Sequence, residues 1–296
     1  MTIFTEANII DTYTARQALE DGQLIDVCAR LGQNLAAEIG LRIPLYFTAG
    51  VWADLVKVPE CAPWQDEVGR ARKIYLNEYW IDKYEVSVEA YSQCVDSGFC
   101  LRPALVNSHV RDPYNWGVAY KYNNPINGVS WGQAASYCKW RGKRLPTEAE
   151  WEKAARGVNG QLYPWGGNYP SEDQYGNFSD KTRVTRMNHS EFPSVSDYND
   201  GFKATAPVGS FPKGVSPYGA YDVAGNVREW VGDWYGKYHV RAPKRNPKGP
   251  RVGSRRITRG GGWGSVEGDL RAYTRHVVAP SEASADIGFR CVVSSG

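Results

Sequence analysis

The chain has 296 residues, 42% of them hydrophobic and 23% charged, with 35 Lys and Arg against 32 Asp and Glu for a formal charge of +3. These proportions exclude a disordered chain, and the even charge balance excludes a nucleic-acid scaffold that works through a basic face. Eleven Trp, 19 Tyr and 31 Gly beside only 2 Met predict a loop-heavy fold in which large rings fill the core.

Residues 1–60 read as a small N-terminal unit, too short in aliphatic residues for a sizeable core of its own. Its first residues carry neither a basic nor an apolar signal region. No run approaches the roughly 20 apolar residues of a membrane span. The expectation is therefore no membrane insertion and a cytoplasmic or virion-associated location. Thr14 to Gln17 is a capping box opening a short helix that stops at Gly22, Gln23 to Cys28 alternates like a strand, and Thr48 caps a further helical turn. Oligomerisation or anchoring to a carrier is the role expected of this unit from its position.

From Lys73 onward, Ile74, Leu76 and Tyr79 to Ile81 are strand material. Ser87 caps a helix ending near Gly98. Ser130 with Gln133 and Thr147 with Glu150 are capping boxes for helices that stop at Gly142 and Gly157. Beyond Gly157 helical periodicity ends. Some 130 residues rich in Gly, Pro, Asn, Asp and aromatics follow, with only short β-like runs such as Arg256–Arg259 and Ile287–Val292. A stretch of that kind needs metal ions, disulfides or stacked rings to order it.

The segments IDKYEVSVEAY, PINGVSWGQAASYCKWRGKRLPTEAEWEKAARG, YPWGG, TAPVGSFP, YGAYDVAGNVREWVGDWY, RGGGW and IGFRC, in this order, resemble the formylglycine-generating enzyme (sulfatase-modifying factor) family. The resemblance covers about Leu55 to Val293. It implies an α+β, C-type lectin-like fold with little regular secondary structure, spanning residues 61–296. The family's oxidase binds copper on two cysteines that follow a Gly-Gly-Ser-aromatic motif. Here Ser265 and Leu270 stand at those places after Gly260 to Trp263, and neither offers a thiolate, so no copper is expected. The four histidines, His109, His189, His239 and His276, lie far apart and form no iron-binding cluster.

Of the six cysteines, Cys94 and Cys100 flank a Gly-containing turn and suit a local bridge. The resemblance implies a second bridge, Cys138 to Cys291, whose closure would remove on the order of 4–5 kcal/mol of unfolded-state entropy. The alternative is buried free thiols in a reducing cytoplasm. No CxxC pair calls for zinc. The family also implies two structural calcium loops: Asn177 and the Phe178 carbonyl with Asp200 and the Phe202 carbonyl, and Asp222 and Glu229 with the Gly225 and Val227 carbonyls. On residue type alone, both groups read equally as Asx-turns in Gly-rich loops.

The window 259–290 alternates an apparent frame with changeable residues and resembles the variable region of diversity-generating retroelement target proteins. The expected binding surface is Trp263, Gly264, Ser265, Val266, Glu267, Gly268, Asp269, Tyr273, His276, Val277, Val278, Ser281, Glu282, Ser284 and Asp286. Glu267 and Glu282 are not reachable from adenine-mutated Asn-type codons. Three functions stay open: a diversified receptor for a protein or other macromolecular ligand, a fixed structural or adhesion protein of a virion or cell surface, and a divergent oxidoreductase.

Overall fold

The computed structural model describes residues 55–58, 62–65, 71–103, 113–167, 175–180, 198–236 and 245–294. Three N-caps organise its helices. Ser87, Ser130 and Thr147 hold extended backbones and each accepts a hydrogen bond from the amide three residues on, opening α1 (Val88–Asp96), α2 (Trp131–Trp140) and α3 (Glu148–Arg156). At Ser130 and Thr147 the Gln133 and Glu150 side chains accept from the cap amides in return, so both capping boxes close. Gly157, at φ 66°, ends α3 in a left-handed conformation that suits glycine.

The strands form three sheets. β1 (Leu55–Val58) pairs antiparallel with β4 (Tyr79–Asp82), and β4 pairs with β9 (Val292–Ser294). β1 precedes the boundary expected at residue 60 yet is an edge of this sheet. β2 (Ala62–Gln65) and β3 (Ala71–Ile74) make a separate antiparallel pair. The largest sheet runs in the order β7 (Arg275–Val278), β6 (Arg256–Arg259), β5 (Arg228–Trp234), β8 (Ile287–Gly288), with only β5 and β8 parallel. All described residues fall within the unit Leu45–Gly296. The elements expected at Thr14, Gln23–Cys28 and Thr48 lie outside the described residues.

The run Ile287–Val292 is not one strand. Ile287 and Gly288 belong to the four-stranded sheet, and Val292 begins a strand of the three-stranded one. Between them Phe289 is fully buried among Tyr91, Tyr137 and Trp230, and the Phe289 and Cys291 carbonyls accept from the amides of Val86 and Asp82. The chain therefore crosses the core here and ties the two sheets together. Both expected bridges are present, Cys94–Cys100 and Cys138–Cys291, the second joining α2 to this crossing.

Every residue of α3 is buried, although five of the nine carry charge. Buried charges require partners, and α3 has them. Glu148 receives Arg275 at 2.5 and 2.9 Å, and Glu152 receives Arg156 at 2.7 Å and also Arg259. Glu150 takes a fork from Arg144 at 2.7 Å on both oxygens.

Asp233 of β5 accepts from the Glu148 amide at 2.7 Å, and burial, with Glu148 nearby, pushes it up to about 7. A carboxyl raised in the folded state binds more protons there than in the unfolded chain, so its contribution falls as pH rises from about 4 through 7. Asp233→Asn keeps an acceptor for the amide and is expected to stabilise the protein at pH 8 but not at pH 4. Urea midpoints of both proteins across that range would show a flat difference if the carboxyl ionised normally.

Candidate functional site

The window sits on edge strand β7 and the loops around it, and its backbone is held by its own buried Arg259 and by groups outside it. Arg259 is fully buried and its guanidinium donates to the carbonyls of Ala272, Tyr273 and Thr274 at 3.1, 2.8 and 3.1 Å. Asn127 Nδ2 donates to Ala285 O at 2.6 Å, while the amides of Gly128, Trp131 and Arg228 bond the carbonyls of Ser284, Pro280 and Asp286. None of these bonds involves a changeable side chain of the window.

Side chains then divide by burial. Val266 to Asp269, Tyr273, Thr274, His276, Val277 and Ser281 to Ser284 reach the surface, with Gly268 and Val277 among the exposed positions. Trp263, Ser265 and Val278, read from the sequence as contact residues, are buried and belong to the frame. The Trp263 indole donates to Ala285 O at 3.0 Å, and Ser265 Oγ accepts from the Gly262 amide at 3.0 Å. Val278 lies in the same core cluster as Trp230 and Phe289. Leu270 is fully buried in an aromatic cluster with Tyr163, Phe178 and Tyr198. Both positions that carry cysteines in the resembling oxidase are thus closed to solvent and filled by a hydroxyl and an isobutyl group.

At the centre of the surface, Arg228 from β5 forks onto Asp286 at 2.9 and 3.0 Å, and Ser284 Oγ donates to the same carboxylate at 2.6 Å. Burial alone would raise Asp286; the Arg228 guanidinium overrides it and holds the carboxyl below its ordinary value. His276 is pushed below its ordinary value by burial and by Arg228, so it is neutral near pH 7. Its Nε2 is buried without a hydrogen-bond partner among the described residues. Arg228 was missed from the sequence, since it lies 58 residues from its partner and outside the window.

The oxygen-rich loops meet around Gly225, where a Cβ would stand 2.6 Å from the Asn177 carbonyl and where φ is 109°, so only glycine fits. In the first group, Asn177 Nδ2 donates to Ala204 O at 2.6 Å. Asp200 accepts the amides of Phe178 and Phe202 at 3.1 and 2.7 Å, and burial, with Asp180 alongside, pushes it up to about 8. That geometry is an Asx-turn joining two loops. In the second, both Glu229 oxygens are taken by Arg290 at 2.7 Å, with the Trp151 indole at 2.8 Å on one of them. Glu85, which the sequence reading passed over, accepts from Asn226 Nδ2 at 2.6 Å and the Val227 amide at 3.0 Å. Three buried carboxylates, Glu85, Asp222 and Glu229, face the one guanidinium of Arg290, and Asp222 Oδ1 is buried without a hydrogen-bond partner. Burial raises Asp222 to about 6, and its orphaned Oδ1 is the atom here that a cation would satisfy, although among the described residues no group of three or more His, Cys, Asp or Glu is placed to hold a metal ion.

Comparison with known proteins bears on the whole described region. Residues 54–295 match the model of the sulfatase-modifying factor enzyme 1-like domain. The chain belongs to this family. It is 40% identical over 278 residues to the formylglycine-generating enzyme of Thermomonospora curvata, covering 79% of this chain and 87% of that one. To the mouse formylglycine-generating enzyme it is 32% identical over 266 residues, covering 77% and 69%. Treponema denticola variable protein 1 superposes with a TM-score of 0.58 at 20% identity over 81% of this chain and 95% of that one, which establishes a shared fold. The fold is α+β and C-type lectin-like, as the family implies. No helix among the described residues is long and apolar enough to cross a membrane.

Proposed function

We propose that this family member is a reversible binder whose ligand, a protein or other macromolecule, is read by the side chains around His276, Arg228 and Asp286, and that the window is a diversified surface. The division of 259–290 into an externally bonded, buried frame and side chains at the surface carries this reading, because such side chains can change without disturbing the fold. Its relatives' oxidase chemistry is the competing reading, favoured by the 40% identity to the Thermomonospora enzyme. Buried Ser265 and Leu270 at the cysteine places weigh against it.

The direct test is to sequence the gene segment for residues 259–290 across its native population and to search the flanking DNA for an adenine-rich near-copy. Substitutions confined to adenine-templated codons at surface positions are expected; an invariant segment without a near-copy would overturn diversification and leave a fixed binder. The frame also makes a stability prediction. Changes at Glu267, Val277, Ser281 or Glu282 are expected to move unfolding free energy by less than about 0.5 kcal/mol each. Trp263→Ala in the same window is expected to cost about 3–5 kcal/mol. Urea unfolding of this panel checks both, and equal costs at frame and surface would remove the distinction.

Calcium at the Asp222 loop belongs to the same proposal, with Asp222 and the Gly225 and Val227 carbonyls as its holders and a structural role in ordering a loop that has few ladder bonds. Adding calcium to metal-stripped protein is expected to stabilise it by about 2.7 kcal/mol at a hundredfold excess over Kd. Asp222→Ala should abolish that rise in Tm. A Tm indifferent to calcium would exclude the ion.

A further inference from the structure

A cavity of about 560 Å³ shares no residue with the window and lies along one face of α2. Trp131, Ala135 and Lys139 line it at successive four-residue steps, so they share a helix face, and the indole-bearing and ammonium-bearing positions stand about 12 Å apart along the axis. Lys143, Arg144 and Lys248 complete its cationic lining.

The charges do not cancel within the protein. Lys143 is held by Asp82 at 2.5 Å, Arg144 by Glu150 at 2.7 Å, and Glu78 by Lys57 at 3.0 Å. Asp233, the remaining carboxyl of the lining, is raised to about 7 by burial and so carries only part of its charge at neutral pH. Lys139 and Lys248 are exposed cations at the cavity with no counter-ion among the described residues. The Trp131 ring is fixed in place: its Nε1 donates to Val231 O at 2.9 Å, and the Arg256 guanidinium covers one of its faces at 3.6 Å from the centroid, so a ligand meets the remainder of the ring.

We propose that this cavity is a second binding site, for a small organic anion with a flat apolar body. The ring of the ligand lies against Trp131, and its acid group is held by Lys139 and Lys248. The two halves of the recognition are ordinary: an indole supplies apolar contact area, and an uncompensated ammonium supplies a charge-assisted hydrogen bond. A carboxylate, sulfonate or phosphate ester on a fused two-ring body is the chemical class this lining suits.

The test uses the full chain and anilinonaphthalene sulfonate as the probe, followed by fluorescence and calorimetry, with naphthoate as competitor. Saturable binding at one site, displaced by naphthoate, is the expected result. Lys139→Glu and Lys248→Glu should each weaken it about tenfold while leaving Tm unchanged. Lys139→Gln, which removes the charge without reversing it, should give a smaller loss in the same direction. Binding that fails to saturate, or that is indifferent to all three changes, would place the dye on exposed apolar surface elsewhere and overturn the site.

Discussion

Replacing Arg290 with methionine is expected to cost about 3–5 kcal/mol, the range for breaking a buried ion pair from one side. Arg290 is fully buried, and its guanidinium does more than pair with Glu229. It donates to the carbonyls of Asp82, Lys83 and Tyr221 at 3.0, 3.1 and 2.6 Å, so it ties the Asp82–Glu85 segment and the Asp222 loop to β5. Removal leaves Glu229 without its buried counter-charge and three carbonyls without their donor. The pair is not thereby a large net stabiliser, since desolvating both ions offsets most of their attraction. The double change Arg290→Met with Glu229→Gln should therefore recover part of the loss. A double-mutant cycle by urea unfolding measures the coupling, and strict additivity would show that the two side chains do not act together.

Opening the Cys138–Cys291 bridge is expected to be the other large loss. Its ends are 153 residues apart, against 6 for Cys94–Cys100. Chain entropy then assigns about 5 kcal/mol to the long bridge and about 2 to the short one. Cys138→Ser should lower the unfolding free energy roughly twice as much as Cys94→Ser, and Cys291→Ser should match Cys138→Ser. Equal costs for the two bridges would mean that the long loop is already restricted in the unfolded chain. Bridges of this kind persist where thiols are oxidised, so mass measurement of alkylated protein taken from its source also reports on the compartment.

The helices were legible because their signals are local. A serine or threonine three residues before a Gln or Glu is a capping box whatever surrounds it, and Ser130 and Thr147 behave accordingly. β6 was equally plain, as a short run with the β-branched pair Ile257 and Thr258 at its centre. Its neighbour β5, the inner strand between β6 and β8, was missed. Its register with β6 shifts between Trp230 and Trp234, and its burial runs through three consecutive residues instead of alternating, so a period of two is not visible in REWVGDW. The site was legible in outline only. The window's limits follow from its motif, but which of its residues are frame depends on contacts such as Trp263 to Ala285 and Ser265 to Gly262, and spacing does not show them. The ion pairs were hidden for a simpler reason: Arg290 finds Glu229 across 61 residues, and no periodicity links such positions.

The crossing at 287–294 has a consequence for how the domain is made. Within eight residues the chain supplies β8, the Phe289 ring, the Arg290 guanidinium, the Cys291 thiol and β9. Their partners, from Asp82 through Cys138 to Glu229, have all left the ribosome earlier. Until this segment emerges, the nascent chain lacks β8 and β9 and holds an unpaired thiol and a cluster of acidic groups without their cation. Folding of the domain is therefore completed only after this segment has emerged, and the waiting chain is the form in which chaperones and thiol oxidases would meet it.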